Sequence, residues 1–124
     1  MQVLIVDDSA DAAASLTMLL ELEDIPAHSV GDGEAALQFC EGCSPLLLLI
    51  DIGLPGMNGY ELARRVRQLP HLNGATLIAL TGREQPGAQE RALFDQFWTK
   101  PFDPRRLIEE VKAVISRVTV SPPA

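Results

Sequence analysis

Apolar positions along the chain follow two rhythms. Val3–Val6, Leu46–Ile50 and Leu77–Leu80 are continuous apolar runs of strand length, bounded by Ser44-Pro45, Gly and Asp. Runs of this kind read as strands buried on both faces, the habit of parallel sheets covered by helices. Between them the spacing becomes helical. Leu16, Leu19 and Leu20 predict a helix capped by Ser9 or Asp8 and running to about Glu23. Gly31-Asp32-Gly33 turns into a second helix over Glu34–Phe39, and Asn58 caps a third whose inward face is Leu62, Val66 and Leu69, ending before Pro70. Pro86 suits the first turn of a fourth helix carrying Ala88, Ala92 and Leu93. Leu107, Val111, Val114, Ile115 and Val118 predict a fifth, starting near Pro104. Two half-polar segments, Ala27–Val30 and Gln96–Thr99, predict short strands at the sheet edges.

Five strands alternating with five helices make a doubly wound α/β fold with a parallel sheet. Right-handed crossovers, with the greasy strands central, give the order 2-1-3-4-5. At 124 residues the chain is one domain over residues 1–119, followed by a flexible tail over 120–124.

The strand ends carry the chemistry. The first strand runs into Asp7-Asp8, the third into Asp51, the fourth into Thr81-Gly82 and the fifth into Lys100-Pro101. In the predicted order these residues arrive at neighbouring carboxyl ends, the edge where open α/β sheets keep their sites. Singly, Asp7 or Asp8 is a helix cap, Thr81 an ordinary strand-end hydroxyl and Lys100 a solvated lysine. Gathered at one edge they make a site. Clustered carboxylates repel, and a hard divalent cation resolves the repulsion; oxygen ligands suit Mg²⁺. A carboxylate, a cation site, an ammonium and a hydroxyl together are the apparatus for accepting a phosphoryl group, with Asp51 as nucleophile, Lys100 neutralising charge and Thr81 bonding the product oxygen.

A net charge of −7 argues against direct nucleic-acid binding, which needs a basic face. Apolar runs are too short to insert in a membrane, and no basic leader opens the chain, so a cytoplasmic protein is expected. Cys40 and Cys43 form a CxxC pair, but behind a helical run rather than opening one, and His28 and His71 lie at no zinc-finger spacing. Cys40 reads as a small core residue and Cys43 as part of a turn. Both histidines read as surface, and Trp98 and Phe102 as core.

The Asp7-Asp8 pair, Asp51 followed by the loop Leu54-Pro55-Gly56-Met57-Asn58-Gly59, Thr81-Gly82 and Lys100-Pro101-Phe102 together resemble the receiver domain of bacterial two-component response regulators, from Val3 to Val118. The resemblance implies a flavodoxin-like (βα)5 fold in which Asp51 is the phosphoacceptor. Asp7, Asp8, Asp51 and the Gly53 carbonyl would hold Mg²⁺, for which Mn²⁺ can substitute, and Lys100 would be the site lysine. Thr81 and Phe97 would be the switch pair, Phe97 standing where the family often has tyrosine. It further implies a cis Lys100-Pro101 bond and, as partner, a histidine kinase or histidine phosphotransfer domain; the output partner is unknown. The loop wording is closer to receivers of hybrid sensor kinases. The segment Leu93–Phe97 reads as about three residues shorter than the family's Ala-Gly-Ala-Asp connection between fourth helix and fifth strand.

Two rival classes share parts of this pattern. A phosphatase of the haloacid-dehalogenase type would carry Asp-x-Asp on its first strand and a cap domain, where this chain has adjacent aspartates and no length for a cap. A flavin carrier would need a phosphate-binding loop after the first strand, where Asp7-Asp8-Ser9 repels phosphate. A signalling switch, not an enzyme, is the expected function.

Overall fold

The computed structural model describes residues 3–82 and 87–119, with side chains to Arg117. The elements are β1 (Val3–Val6), α1 (Ala10–Leu22), β2 (Ala27–Val30), α2 (Gly33–Gly42), β3 (Leu47–Asp51), α3 (Gly59–Arg67), a 3₁₀ turn (Pro70–Leu72), β4 (Thr76–Thr81), α4 (Ala88–Arg91), β5 (Gln96–Thr99) and α5 (Pro104–Thr119). The sheet order is β2-β1-β3-β4-β5, every neighbouring pair parallel. This is the order expected from the greasy and half-polar strands, with β2 and β5 at the edges.

Within the greasy runs, alternate residues serve opposite faces. Leu4, Val6, Leu48, Ile50, Leu77 and Ala79 pack with Ala36 and Cys40 of α2 and Leu62, Ala63 and Val66 of α3. Val3, Ile5, Leu47, Leu49, Ile78 and Leu80 pack with Leu16 and Leu20 of α1 and Leu107, Val111 and Val114 of α5. Burying each large side chain contributes roughly 1.5–3 kcal/mol, and β1 and β3 are buried along their whole length. Those two strands therefore anchor whatever stands at their carboxyl ends.

The helices start where polar residues accept otherwise orphaned N–H groups. Ser9 Oγ accepts from Ala12 N, Asp32 Oδ1 from Ala35 N and Asn58 Oδ1 from Glu61 N. Of the two proposed caps for α1, Ser9 is the one in place. Cys40 is fully buried, and burial pushes its thiol up to about 11, so it behaves as a core residue; Cys43 follows the helix end. His28 and His71 are exposed but engaged: His28 stacks on Phe39 at 4.7 Å, and His71 Nε2 lies 2.7 Å from the Cys40 carbonyl oxygen, bracing the end of α2. Trp98 and Phe102 are half-buried at the margin of the core, packed edge to face. The Lys100-Pro101 peptide is cis.

One expectation needs correcting at the fourth helix. It is a single turn, Ala88–Arg91, with no buried residue, so Ala92 and Leu93 lie in the connection after it. Ala92, Leu93, Phe94 and Asp95 make up the connection, which enters β5 at Gln96. Leu93 and Phe94 pack on the core, which spares the segment a long amphipathic helix. Pro86 and the tail over 120–124 lie outside the described residues, as does the side chain of Val118.

The start of α3 is pressed against the end of β3. Gly59 N donates to Ile52 O at 3.1 Å, and a Cβ on Gly59 would sit 2.7 Å from Ile52 Cα and 2.8 Å from Asp51 O. Backbone cannot move aside cheaply. Gly59→Ala is expected to lower the unfolding free energy by about 1–3 kcal/mol, read as a lower urea midpoint at unchanged slope.

Candidate functional site

The carboxyl ends of β1, β3, β4 and β5 meet in one acidic cleft. Asp7, 3% exposed, follows β1; Asp51, 8% exposed, ends β3; Asp8 beside them is open to solvent. One carboxylate oxygen from each of the three lies within 4.8 Å of the others. Lys100 Nζ reaches over from the end of β5, 3.3 Å from Asp51 Oδ2 and 3.9 Å from Asp7 Oδ2. Its backbone N–H donates to Thr81 O at 2.7 Å, which ties the lysine to the end of β4. All the residues expected here, Asp7, Asp8, Asp51, Thr81 and Lys100, are thus brought to this edge by their strands.

Backbone N–H groups hold the two buried carboxylates in place. Ser9 N donates to Asp7 Oδ1 at 2.9 Å, and Gly53 N to Asp51 Oδ1 at 3.0 Å. Gly53 therefore lies beside the cleft. No Lys or Arg precedes Arg64 in the chain, so the β1, β2 and β3 side of the cleft carries carboxylates only. Lys100 must come from the far strand to supply a cation. The ten basic residues are therefore gathered in the second half of the chain, not spread along it.

The electrostatics remain incompletely balanced. Burial pushes the Asp7 carboxyl above its usual range; the Ser9 N–H and Lys100 pull it down, and Asp51 and Asp8 push it up again. The net direction is upward, with burial the largest cause. All the candidate ligand atoms are carboxylate oxygens, hard donors of the kind Mg²⁺ takes. An unmet demand lies alongside: Thr81 Oγ1 is buried without a hydrogen-bond partner. An unpaired buried hydroxyl costs of order 1–3 kcal/mol. Thr81 itself ends β4, the strand paired with β3 and Asp51.

Phe97 is half-buried on β5, three positions before Lys100, with its ring edge-on to Phe94 at 5.3 Å and Arg91 Cζ 6.0 Å from the ring centroid. Phe94 and Arg67 are the residues the sequence reading missed. The Arg67 guanidinium donates to Leu93 O at 3.1 Å, Ala75 O at 2.8 Å and Asp95 Oδ2 at 3.0 Å, while Asp95 Oδ2 also accepts from Leu77 N at 2.8 Å. One side chain thus clasps α3, the entry to β4 and the entry to β5. A conspicuous Asp just ahead of an edge strand, with three arginines near the end of α3, was the available signal.

A parallel five-stranded sheet of this order, with an acidic and lysine-bearing cleft at its carboxyl edge, defines a phosphoacceptor-type α/β signalling domain. The family model for the response regulator receiver domain matches residues 3–112, and the chain belongs to that family. It is 34% identical over 121 residues to the heme response regulator HssR of Staphylococcus epidermidis, covering 95% of this chain and 53% of that protein. It is likewise 34% identical over 121 residues to the DNA-binding response regulator MtrA of Mycobacterium tuberculosis, covering 94% and 51%. The chain thus spans about half the length of these curated relatives. The receiver domain of a signal transduction histidine kinase from Syntrophus aciditrophicus superposes with a TM-score of 0.85 at 30% identity, over 99% of this chain and 96% of that one. Among the described residues no helix is long and apolar enough to cross a membrane.

Since the folded state raises the Asp7 pKa, it binds that proton more tightly than the unfolded chain does. The resulting stability is present below the unfolded value of 3.8 and lost as pH rises through the raised value. At neutral pH without divalent cations, Asp7→Asn is therefore expected to melt a few degrees above the parent. The gap should narrow as pH falls through the raised Asp7 value, and calorimetry across the acid range reads it.

Proposed function

We propose that the chain is a phosphorelay switch that takes one phosphoryl group on Asp51 from a phosphohistidine of a histidine kinase or phosphotransfer domain. The observation that carries this is Asp51 Oδ2 held 3.3 Å from Lys100 Nζ beside two further aspartates. An Asp51 oxygen attacks phosphorus as the P–N bond breaks; the electron pair returns to the imidazole, leaving an acyl phosphate on the protein. The Gly53 N–H aims the carboxylate, and Lys100 neutralises negative charge that builds on the phosphoryl oxygens. Asp7, Asp8, Asp51 and the Gly53 carbonyl would hold Mg²⁺ or Mn²⁺, which when bound supplies the remaining positive charge. The chain is a stoichiometric acceptor and not an enzyme acting on free substrates. It works in the cytoplasm, and with a charge of −7 it meets proteins and not nucleic acid.

Thr81 is the reader. The orphaned hydroxyl gains a charged acceptor only when the phosphoryl group is present, so it moves toward it and vacates space into which Phe97 turns. Phe97 brings no hydroxyl of its own, so its two positions differ by packing alone. One hydrogen bond to a charged group is worth roughly 1.5–3 kcal/mol, enough to move a two-state population about tenfold or more.

Incubation with acetyl phosphate and Mg²⁺ or Mn²⁺ should add one phosphoryl mass to the intact protein. Uptake by Asp51→Asn, or full uptake in EDTA, would falsify the assignment. Thr81→Ala should still accept phosphate yet lose the conformational shift at residues 87–100, measured from backbone NMR shifts with beryllofluoride as the phosphoryl mimic.

A further inference from the structure

With α4 reduced to a turn that buries nothing, the packing beside Phe97 is supplied by other residues. Phe94, 7% exposed, is wedged between β5 and α3: its ring meets Phe97 at 5.3 Å and 62°, and Tyr60 at 6.2 Å and 77°. The residues on either side of it are pinned. Arg67 holds Leu93 O and Asp95 Oδ2, and Asp95 N donates to Leu77 O at 2.8 Å. The Phe94 side chain can therefore tilt while its backbone stays fixed. Tyr60, half-buried, lies in the first turn of α3, whose start is locked to the end of β3 by Gly59 N and Ile52 O.

We propose that Phe94 relays the state of Phe97 to Tyr60, so that the Tyr60 ring at the start of α3, rather than α4, presents the phosphorylation state at the surface. The inference rests on Asp51 being the phosphoacceptor. Edge-to-face rings have a few preferred arrangements and do not slide freely, so an inward turn of Phe97 forces Phe94 to choose again, and Tyr60 with it. Arg67 is the positioning residue of this relay; it touches neither Asp51 nor Lys100 among its hydrogen bonds and ion pairs.

Tyr60 is the single tyrosine of the chain, so ring-¹³C tyrosine gives one reporter. With beryllofluoride and Mg²⁺, the amide signal of Gly53 reports occupancy and the Tyr60 ring signal reports the relay. In the parent both should move. In Phe94→Leu, Gly53 should move and Tyr60 should lose most of its displacement, whereas Phe39→Leu, on the His28 side of α2, should keep it. If Phe94→Leu fails to fold, Phe97→Leu breaks the other end of the relay and is read identically. Movement of Gly53 with a still Tyr60 in the parent overturns the relay and leaves the phosphoacceptor reading standing. Full Tyr60 displacement in Phe94→Leu overturns it too, by showing that α3 is moved directly by the loop after β3. Stillness at both positions overturns the relay and the phosphoacceptor reading together.

Discussion

Like charges crowded where little water reaches them set the terms for this molecule. Asp7 and Asp51 stand at the ends of the two most deeply buried strands, and their backbones have no freedom to drift apart. The N–H groups of Ser9 and Gly53 and the ammonium of Lys100 offset part of the repulsion. What is left over is a crowd of carboxylate oxygens at one point, hard donors of the kind a divalent cation takes. The hydrophobic core does not merely tolerate this arrangement; it enforces it. A looser sheet would let the carboxylates separate.

Most of this was visible in the chain before any coordinates. Three apolar runs ending in Asp, Asp and Thr, and one half-polar run ending in Lys, state both the sheet order and the edge at which chemistry collects. Burial is periodic and strand ends are abrupt, so pattern reading works on them. It worked less well between Thr81 and Gln96. A helix of one turn has too few residues to display a period, so Ala88, Ala92 and Leu93 mimicked a longer one.

Arg67 and Phe94 were hidden for a different reason. By spacing alone Arg67 cannot be told from Arg64 and Arg65, which pair with Glu61 on the solvent face of the same helix. Only the fold shows that Arg67 alone points at three carbonyl or carboxylate oxygens of other segments. Phe94 looked like a filler in a turn. Its partners Tyr60 and Phe97 are remote in sequence, and tertiary proximity of that kind leaves no local mark.

The cleft draws one part from each of four strand ends, at Asp7, Asp51, Thr81 and Lys100, and these are spread over most of the chain. No fragment that stops short of Lys100 or begins beyond Asp7 contains the whole set. A nascent chain still lacking β5 has carboxylates without their lysine, and a chain with β5 undocked has the lysine at the wrong place. Assembly of the cleft is therefore withheld until β5 has been made and docked. A receiver built this way cannot report on its stimulus while half made, and proteolytic nicking that releases β5 would silence it at once rather than leave a faulty signal running.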